Sequence, residues 1–246
     1  MDYFSYDEGA VNTPQADAFL ERTLAQIQAG GYDGLLALAR TTPAFLSLCE
    51  KGVYVATAVN DIDHEMRRFH ICYDGFIAGR IAAELIYRWM PDHSRPVAIA
   101  SGWENLRIHS STVHGFEEQA KQTPLNIAKV YYNYDNSEVA YTSTIALLKE
   151  IPDLGAIYVN SFNSGGVIRA VREMQKNPVL ITSDLNAELR NAIRSGTVAA
   201  SIFQNQYEQG RRGLHCMFRA LTNGETITDT MMISPEIVLS SNMSRF

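Results

Sequence analysis

Apolar side chains recur along the chain in two patterns, one typical of helices and the other of buried strands. Leu20, Leu24 and Ile27 fall four and three residues apart, which predicts a helix with one apolar face. The continuous apolar run 32–39 that follows is typical of a strand buried on both faces of a parallel sheet. The same alternation of the two patterns continues to the end of the chain.

The predicted elements alternate between strand and helix. Further strands are predicted over 53–59, 96–100, 128–132, 156–159, 179–182 and 198–203. Further helices are predicted over 42–51, 77–89, 109–122, 137–150, 166–176, 187–195 and 214–221. The apolar tail 231–239, interrupted by Pro235, predicts one edge strand. This order predicts an α/β protein with doubly wound parallel sheets and helices on both faces.

Length, charge and cysteine content exclude several classes of protein to which this chain could belong. The 246 residues suffice for one large domain or two lobes. The net charge of −6 and the short basic clusters argue against a nucleic-acid surface on this chain. The longest apolar runs are too short to span a bilayer, and the acidic N-terminal residues do not resemble a secretory signal, so we expect a cytoplasmic protein without membrane contact. The three widely spaced cysteines are expected to be reduced thiols.

Polar residues directly follow several predicted strands. The most informative run, 160–166, lies between the strand 156–159 and the next predicted helix, and similar runs occupy 101–104 and 182–186. In open α/β sheets ligands bind at the carboxyl ends of the strands, where side chains and helix N-termini meet. These runs carry Asn, Asp, Glu and Trp but no obvious nucleophile, which favours a binding site over a catalytic one.

Motifs for catalysis, cofactors and metals are missing from the sequence. It contains no Gly-x-Gly-x-x-Gly loop, P-loop or Gly-x-Ser-x-Gly elbow. It also contains no Cys-x-x-Cys pair or Cys/His cluster of the kind that holds zinc. We therefore expect no catalytic residues, no metal and no cofactor, although a doubly wound enzyme stays possible because fold does not fix function.

Four segments, in this order and spacing, resemble the effector-binding domain of the lactose-repressor (LacI/GalR) family, which has the type I periplasmic-binding-protein fold. The resemblance covers nearly the whole chain, and its most specific part is the crossover 71–83. The four segments are 31–37, 52–61, 71–83 and 201–210.

The resemblance implies two lobes with a ligand cleft between them, joined by crossings near 72–75, 203–205 and 226–230. The first lobe would contain 1–73 and 205–227, and the second 74–204 and 228–246. The family has a strand and a helix ahead of the segment that Asp2–Tyr6 resembles, its second strand. Thr112 stands where sugar-binding members often carry an arginine.

A sugar-like ligand needs planar polar groups for its hydroxyls and an aromatic face for its ring. Asp184 is the first candidate, as an acceptor of hydroxyl protons, with an N-cap or loop position before the next helix as the alternative. Asn160 can donate and accept at once, or serve as a cap or turn residue. Gln204 is expected either to contact the ligand or to bridge backbone groups at a crossing.

Further candidates come from other strand ends. Asn60 and Asp61 would face the ligand from the first lobe, or form an Asx-turn. Trp103 and Phe162 follow strand ends and are candidate stacking faces, with burial in the core as the alternative. Thr112 leaves the site without the arginine donor of sugar-binding members, and two residues after the strand 96–100 could supply a donor instead: Arg107 and His109.

The resemblance implies the ligand-sensing, dimerising domain of a bacterial transcription regulator. Its partners would be a small carbohydrate effector, a second copy of the chain, and operator DNA bound through an N-terminal helix-turn-helix headpiece that this chain lacks. The alternative is a periplasmic sugar-binding protein of a transport system. The dimer surface is predicted to include either the neighbourhood of 77–89 or the helix 42–51, where Phe45, Leu46 and Leu48 supply apolar surface.

Overall fold

The computed structural model describes residues 2, 4, 14–38 and 43–246. The helices are α1 Pro14–Ala29, α2 Pro43–Glu50, α3 Gly75–Trp89, α4 Arg107–Ala120, α5 Ser137–Glu150, α6 Ser164–Glu173, α7 Ala187–Arg194 and α8 Gln206–Asn223. The strands are β1 Gly34–Ala37, β2 Tyr54–Ala58, β3 Phe69–Tyr73, β4 Val97–Ser101, β5 Ile127–Tyr132, β6 Ala156–Val159, β7 Val179–Ser183, β8 Ala200–Phe203, β9 Thr230–Ile233 and β10 Glu236–Val238. Apart from Asp2 and Phe4, the segment compared with the family's second strand lies outside the described residues.

The chain divides into two compact units. Unit 1 contains 1–73 and 206–233, and its described strands form a parallel sheet in the order β1-β2-β3-β9. Unit 2 contains 74–205 and 234–246, and its sheet has the order β10-β8-β7-β6-β4-β5, in which β10 alone runs antiparallel. The prediction of two α/β lobes with parallel sheets is confirmed.

Each unit has a core of its own between its sheet and its helices. In unit 2, strands β4 and β6 are buried along their whole length, as the continuous apolar runs predict for strands covered on both faces. In unit 1, Phe45 and Leu48 of α2 pack with Val55 of β2. The two α2 side chains are therefore core residues, and only Leu46 of the three proposed for a dimer surface is exposed.

The tail differs from the single edge strand that the sequence predicts. It forms two strands in different sheets: β9 pairs with β3 in unit 1, and β10 pairs with β8 in unit 2, with Pro235 between them. The last boundary between units therefore falls at 233, whereas the family resemblance placed it near 227. A proline is typical of an edge strand and also of the break between two strands, so the apolar pattern by itself does not distinguish one strand from two.

Helix α8 also differs from its prediction. The sequence groups Leu214, Met217, Phe218 and Leu221 as one apolar face, yet only Met217 of these is buried. The helix turns Gly213 toward the sheet, where a Cβ would lie within 3.1 Å of both terminal methyl groups of Leu36. The small residue brings the helix close to the sheet on that side and leaves Phe218 exposed.

Helices α3 and α4 of unit 2 pack backbone to backbone. A Cβ on Gly79 would lie 1.9 Å from the carbonyl oxygen of Thr112, and one on Gly115 would lie 2.0 Å from that of Phe76. Both distances are far below van der Waals contact, so only glycine fits at either position. This contact fixes α4, and with it the residues at the start of that helix.

Candidate functional site

The carboxyl ends of the parallel strands in unit 2 carry most of the candidate residues. β7, β6, β4 and β5 are four consecutive parallel strands of one sheet, so the residues that follow them line the same edge. This edge receives Trp103 after β4, Asn160 after β6 and Asp184 after β7, while Gln204 follows β8. The structure therefore brings these four sequence-predicted residues to one edge of one unit.

Asn160 is the most informative side chain at this edge. It is 1% exposed, and its Nδ2 donates a hydrogen bond to the carbonyl oxygen of His109 at 3.3 Å. Its Oδ1 is buried and has no hydrogen-bond partner among the described residues. The cap of the following helix is Asn163, so the capping alternative for Asn160 does not hold. A buried amide oxygen without a donor is costly, so this atom is available as an acceptor.

Three more buried polar atoms near the same edge lack a partner in the described part of the chain. Ser101 Oγ lies at the end of β4, Thr182 Oγ1 near the end of β7, and Asp135 Oδ1 in the turn after β5. With Asn160 Oδ1 there are four such atoms, one at or near the end of each of the strands β4, β5, β6 and β7. Unsatisfied buried polar atoms are rare in folded proteins, so their concentration at one edge indicates a binding site.

His109 connects two of the candidates. Its buried ring accepts a hydrogen bond on Nδ1 from the backbone N–H of Trp103 at 2.8 Å, and its carbonyl oxygen holds Asn160. Burial lowers the pKa of His109 below its ordinary value, while the nearby Asp135 carboxylate acts in the opposite direction. The indole of Trp103 meets the ring of Tyr134 edge to face, with centroids 5.0 Å apart.

Asp184 adopts an uncommon backbone conformation, with a φ of 69°. Its N–H donates to the carbonyl oxygen of Ile202, and its own carbonyl oxygen accepts from the Ser201 hydroxyl, so the turn is fixed to β8. The side chain is buried. Asn186 caps α7 through the N–H of Leu189, and the capping alternative for Asp184 is therefore wrong.

The remaining unit 2 candidates are more exposed. Phe162 is 61% exposed, which leaves its ring available for stacking and excludes the core alternative. Arg107 is the first residue of α4 and is exposed, and Gln204 is partly buried at the end of β8. Their roles as ligand contacts stay predictions.

In unit 1, Asp61 is committed to an internal ion pair. Arg67 donates to both of its carboxylate oxygens, from Nε at 2.6 Å and from Nη2 at 2.8 Å. The Thr57 hydroxyl donates to the same carboxylate, and Arg67 also binds Asp229. This arrangement gives Asp61 a structural role, whereas the neighbouring Asn60 is partly exposed.

The charge of Asp61 is stabilised within this network. Burial by itself raises the pKa of Asp61, but the hydrogen bond and charge of Arg67 and the charge of His70 outweigh burial. The pKa of Asp61 therefore lies below its ordinary value, and the carboxylate stays ionised at neutral pH.

The turn after β5 also contributes polar side chains to this edge, and none of its residues was among the predicted site residues. Asn133 is fully buried, donates to the Ser161 hydroxyl at 2.6 Å and accepts from the N–H of Asp135. Asn163 donates to the carbonyl oxygen of Asp135. The signal was present in the sequence, because 133–136 is a polar run directly after a predicted strand, like those at the other strand ends.

The part of the chain that the structure describes offers neither a metal-binding cluster nor a membrane-spanning helix. The described residues contain no group of three or more His, Cys, Asp or Glu side chains arranged to hold a metal ion. None of the helices they form combines the length and apolar character needed to cross a membrane.

Comparisons with solved structures reveal the same fold. GanP, a glucose-galactose binding protein from Geobacillus stearothermophilus, is 21% identical, with a TM-score of 0.82 over 93% of this chain and 83% of that one. An ABC transporter solute binding protein from Agrobacterium vitis, with bound D-fucose, is 20% identical, with a TM-score of 0.84 over 96% and 83%. A periplasmic ribose ABC transporter structure from Conexibacter woesei is 21% identical, with a TM-score of 0.82 over 91% and 78%.

Sequence comparisons add the family. A search of curated proteins finds no match. The family model described as periplasmic binding protein domain matches residues 12–226, which is most of the chain and includes parts of both units. The fold is thus that of type I periplasmic binding proteins, and the chain belongs to the periplasmic binding protein domain family.

Proposed function

We propose that this protein is a non-catalytic carbohydrate-binding protein of a transport system, and that the strand ends of unit 2 supply much of its binding site. The observation that carries the proposal is the set of four buried polar atoms without partners at one edge of the sheet, among them Asn160 Oδ1. Hydroxyl groups both donate and accept, so a sugar can satisfy amide, carboxylate and hydroxyl oxygens together.

Similar proteins of known structure support the choice of ligand and of system. GanP is described as binding glucose and galactose, and the Agrobacterium vitis protein carries D-fucose. The Agrobacterium vitis protein is described as an ABC transporter solute binding protein, and the Conexibacter woesei structure as a periplasmic ribose ABC transporter. They support the alternative drawn from the sequence better than the transcription regulator. A homodimer and an operator-binding headpiece belong to the regulator hypothesis, which has the LacI/GalR resemblance as its support.

The proposal implies a location outside the cytoplasm, in contrast to the cytoplasmic location expected from the sequence. Fractionation of the source cells, followed by detection of the native protein with an antibody, separates the two. Recovery in the cytoplasmic fraction alone, together with operator binding by the native protein, would support the regulator.

The ligand class is tested with a panel of glucose, galactose, D-fucose, ribose and arabinose, with amino acids and purines as controls. At a concentration of 100 times Kd, a ligand adds about 2.7 kcal/mol of stability. We expect at least one sugar to raise the melting temperature by about 5–10 °C. A response to amino acids or purines and to no carbohydrate would contradict the ligand class, and turnover of a bound sugar would contradict the non-catalytic role.

The Asn160→Leu variant is expected to weaken sugar binding by about 1–3 kcal/mol, because it removes the unpartnered acceptor. Its folding stability should change by only about 1 kcal/mol, since the loss of the hydrogen bond from Nδ2 to the His109 carbonyl oxygen is offset by removal of a buried oxygen that lacks a donor. Calorimetry gives the affinity and urea unfolding gives the stability. The matched control is Asn191→Leu on the exposed surface of α7, which should change neither. Equal affinity of Asn160→Leu and the unmodified protein would remove Asn160 from the site.

A further inference from the structure

His109 contacts residues that follow two strands, Trp103 after β4 and Asn160 after β6. Its ring holds the backbone of Trp103, and its carbonyl oxygen holds the side chain of Asn160. The residue is buried in the first turn of α4, so its ring is not itself exposed to a ligand. His109 therefore acts through these two residues.

The hydrogen bond from Trp103 defines the protonation state of the ring. A ring nitrogen that accepts a hydrogen bond carries no proton, so Nδ1 is bare and the imidazole is neutral. A protonated imidazole has N–H groups on both nitrogens. Protonation would set the Nδ1 proton against the N–H of Trp103, and two donors cannot share that distance of 2.8 Å.

The His109 ring and the Asp135 carboxylate both lie close to Gly102. A Cβ on Gly102 would lie 2.2 Å from Cε1 of His109 and 2.9 Å from Oδ1 of Asp135. The absence of a side chain at Gly102 therefore lets both groups approach the backbone there. Asp135 Oδ1 has no hydrogen-bond partner among the described residues. A new positive charge on the ring would be drawn toward this carboxylate and away from Trp103.

The charged groups nearest the ring along the chain are Glu104 in the turn before α4 and Arg107 at the first position of α4. From other elements, Asp135 lies in the turn after β5, and Asp74 precedes α3. Of these, Asp135 is the group that acts on the pKa of His109, and it favours the charged form against burial. The ring therefore has a defined neutral state and a defined competing partner for its charged state.

We propose that His109 is a positioning residue for the carbohydrate site, and that its protonation releases Trp103 and so weakens ligand binding in acid. This rests on the proposed function. Because burial holds the pKa of His109 below its ordinary value of about 6.5, the affinity stays constant at neutral pH and decreases below that value. Once the ring titrates, a site that requires the neutral form loses up to about tenfold in affinity per pH unit.

The first test needs no sugar. The amide signal of Trp103 in ¹⁵N-labelled protein is followed by NMR from pH 7.5 to 4.5, together with the His109 ring signals. We expect the amide and the ring to titrate together, and the amide to be insensitive to pH in the His109→Asn variant, whose side-chain oxygen can accept the same bond without titrating. An amide that does not move while the ring titrates overturns the proposal.

Asp135→Asn is a second variant that keeps the histidine. Without the carboxylate that favours the charged ring, the joint titration should move to lower pH. This result holds even if His109→Asn fails to fold. A titration unchanged by Asp135→Asn shows that the carboxylate is not the competing partner and contradicts the switch.

The second test measures D-galactose affinity at pH 7.5 and pH 5. The unmodified protein should lose more affinity than His109→Asn, by up to about tenfold for each pH unit below the pKa of the His109 ring. Equal losses in both proteins overturn the switch. If no sugar of the panel binds at neutral pH, the proposed function fails, and the amide titration still decides whether His109 controls Trp103.

Discussion

Gly79→Ala and Gly115→Ala are each expected to destabilise unit 2 by about 2 kcal/mol or more. The added methyl group would meet backbone atoms, at 1.9 Å from the Thr112 carbonyl oxygen in one case and at 2.0 Å from the Phe76 carbonyl oxygen in the other. A carbonyl inside a helix cannot rotate aside, so α3 and α4 must separate, and overpacking of this kind costs about 1–3 kcal/mol or more. Urea unfolding measures the loss.

The two substitutions should also be less than additive. Once either alanine has forced the helices apart, the second meets more space, so the double variant should lose less than the sum of the single losses. Gly210→Ala in α8 is the control, because nothing lies within 4 Å of its Cβ position. That variant should gain up to about 1 kcal/mol from helix propensity. Wild-type stability in both Gly79→Ala and Gly115→Ala would contradict the close packing.

Arg67→Met is expected to cost about 3–5 kcal/mol of the stability of unit 1. The Arg67 side chain is 3% exposed, and its removal leaves the Asp61 carboxylate buried without its principal partner. The double variant Asp61→Asn with Arg67→Met should recover much of the loss, because it removes the unpaired charge. Arg212→Met, in an exposed ion pair with Glu208, is the control and should change stability by less than about 0.5 kcal/mol.

The same ion pair predicts a dependence on pH. The folded pKa of Asp61 lies below its ordinary value, so the carboxylate binds its proton more readily in the unfolded chain. Its contribution is therefore complete above about pH 4 and is lost as the pH decreases through the folded pKa. Unfolding of unit 1 in acid should show this loss, and Arg67→Met should not. An equally acid-sensitive Arg67→Met would assign the effect to other carboxylates.

Most elements were predictable because their signals are local. Helix α5 and strand β6 have the predicted bounds, since Asn136 caps the helix and the strand is a continuous apolar run. The two strands of the tail were not separable, because their assignment depends on partners far away in sequence, β3 and β8. The exposed face of α8 was also out of reach, since an apolar stripe does not reveal which glycine approaches the sheet.

The site was predictable only to the level of strand ends. That rule found Asn160 and Asp184, and it would have found Asn133 if applied to every strand. It could not foresee that Asp61 binds Arg67, which also joins Asp229, 162 residues away. Nor can a sequence reveal a buried oxygen without a donor, because that absence depends on the whole surrounding structure.

The sheet of unit 1 ends at one edge with β9, a strand from the far end of the chain. β3 pairs with β9, so Ile71 lies beside Met231, and nearly all of unit 2 is inserted between them. During synthesis, residues 74–205 emerge before β9 does. Pairings so distant in sequence are slow to form, so we expect unit 2 to fold first and the addition of β9 to be a late step. The order of folding would thus run opposite to the order in which the two units begin along the chain.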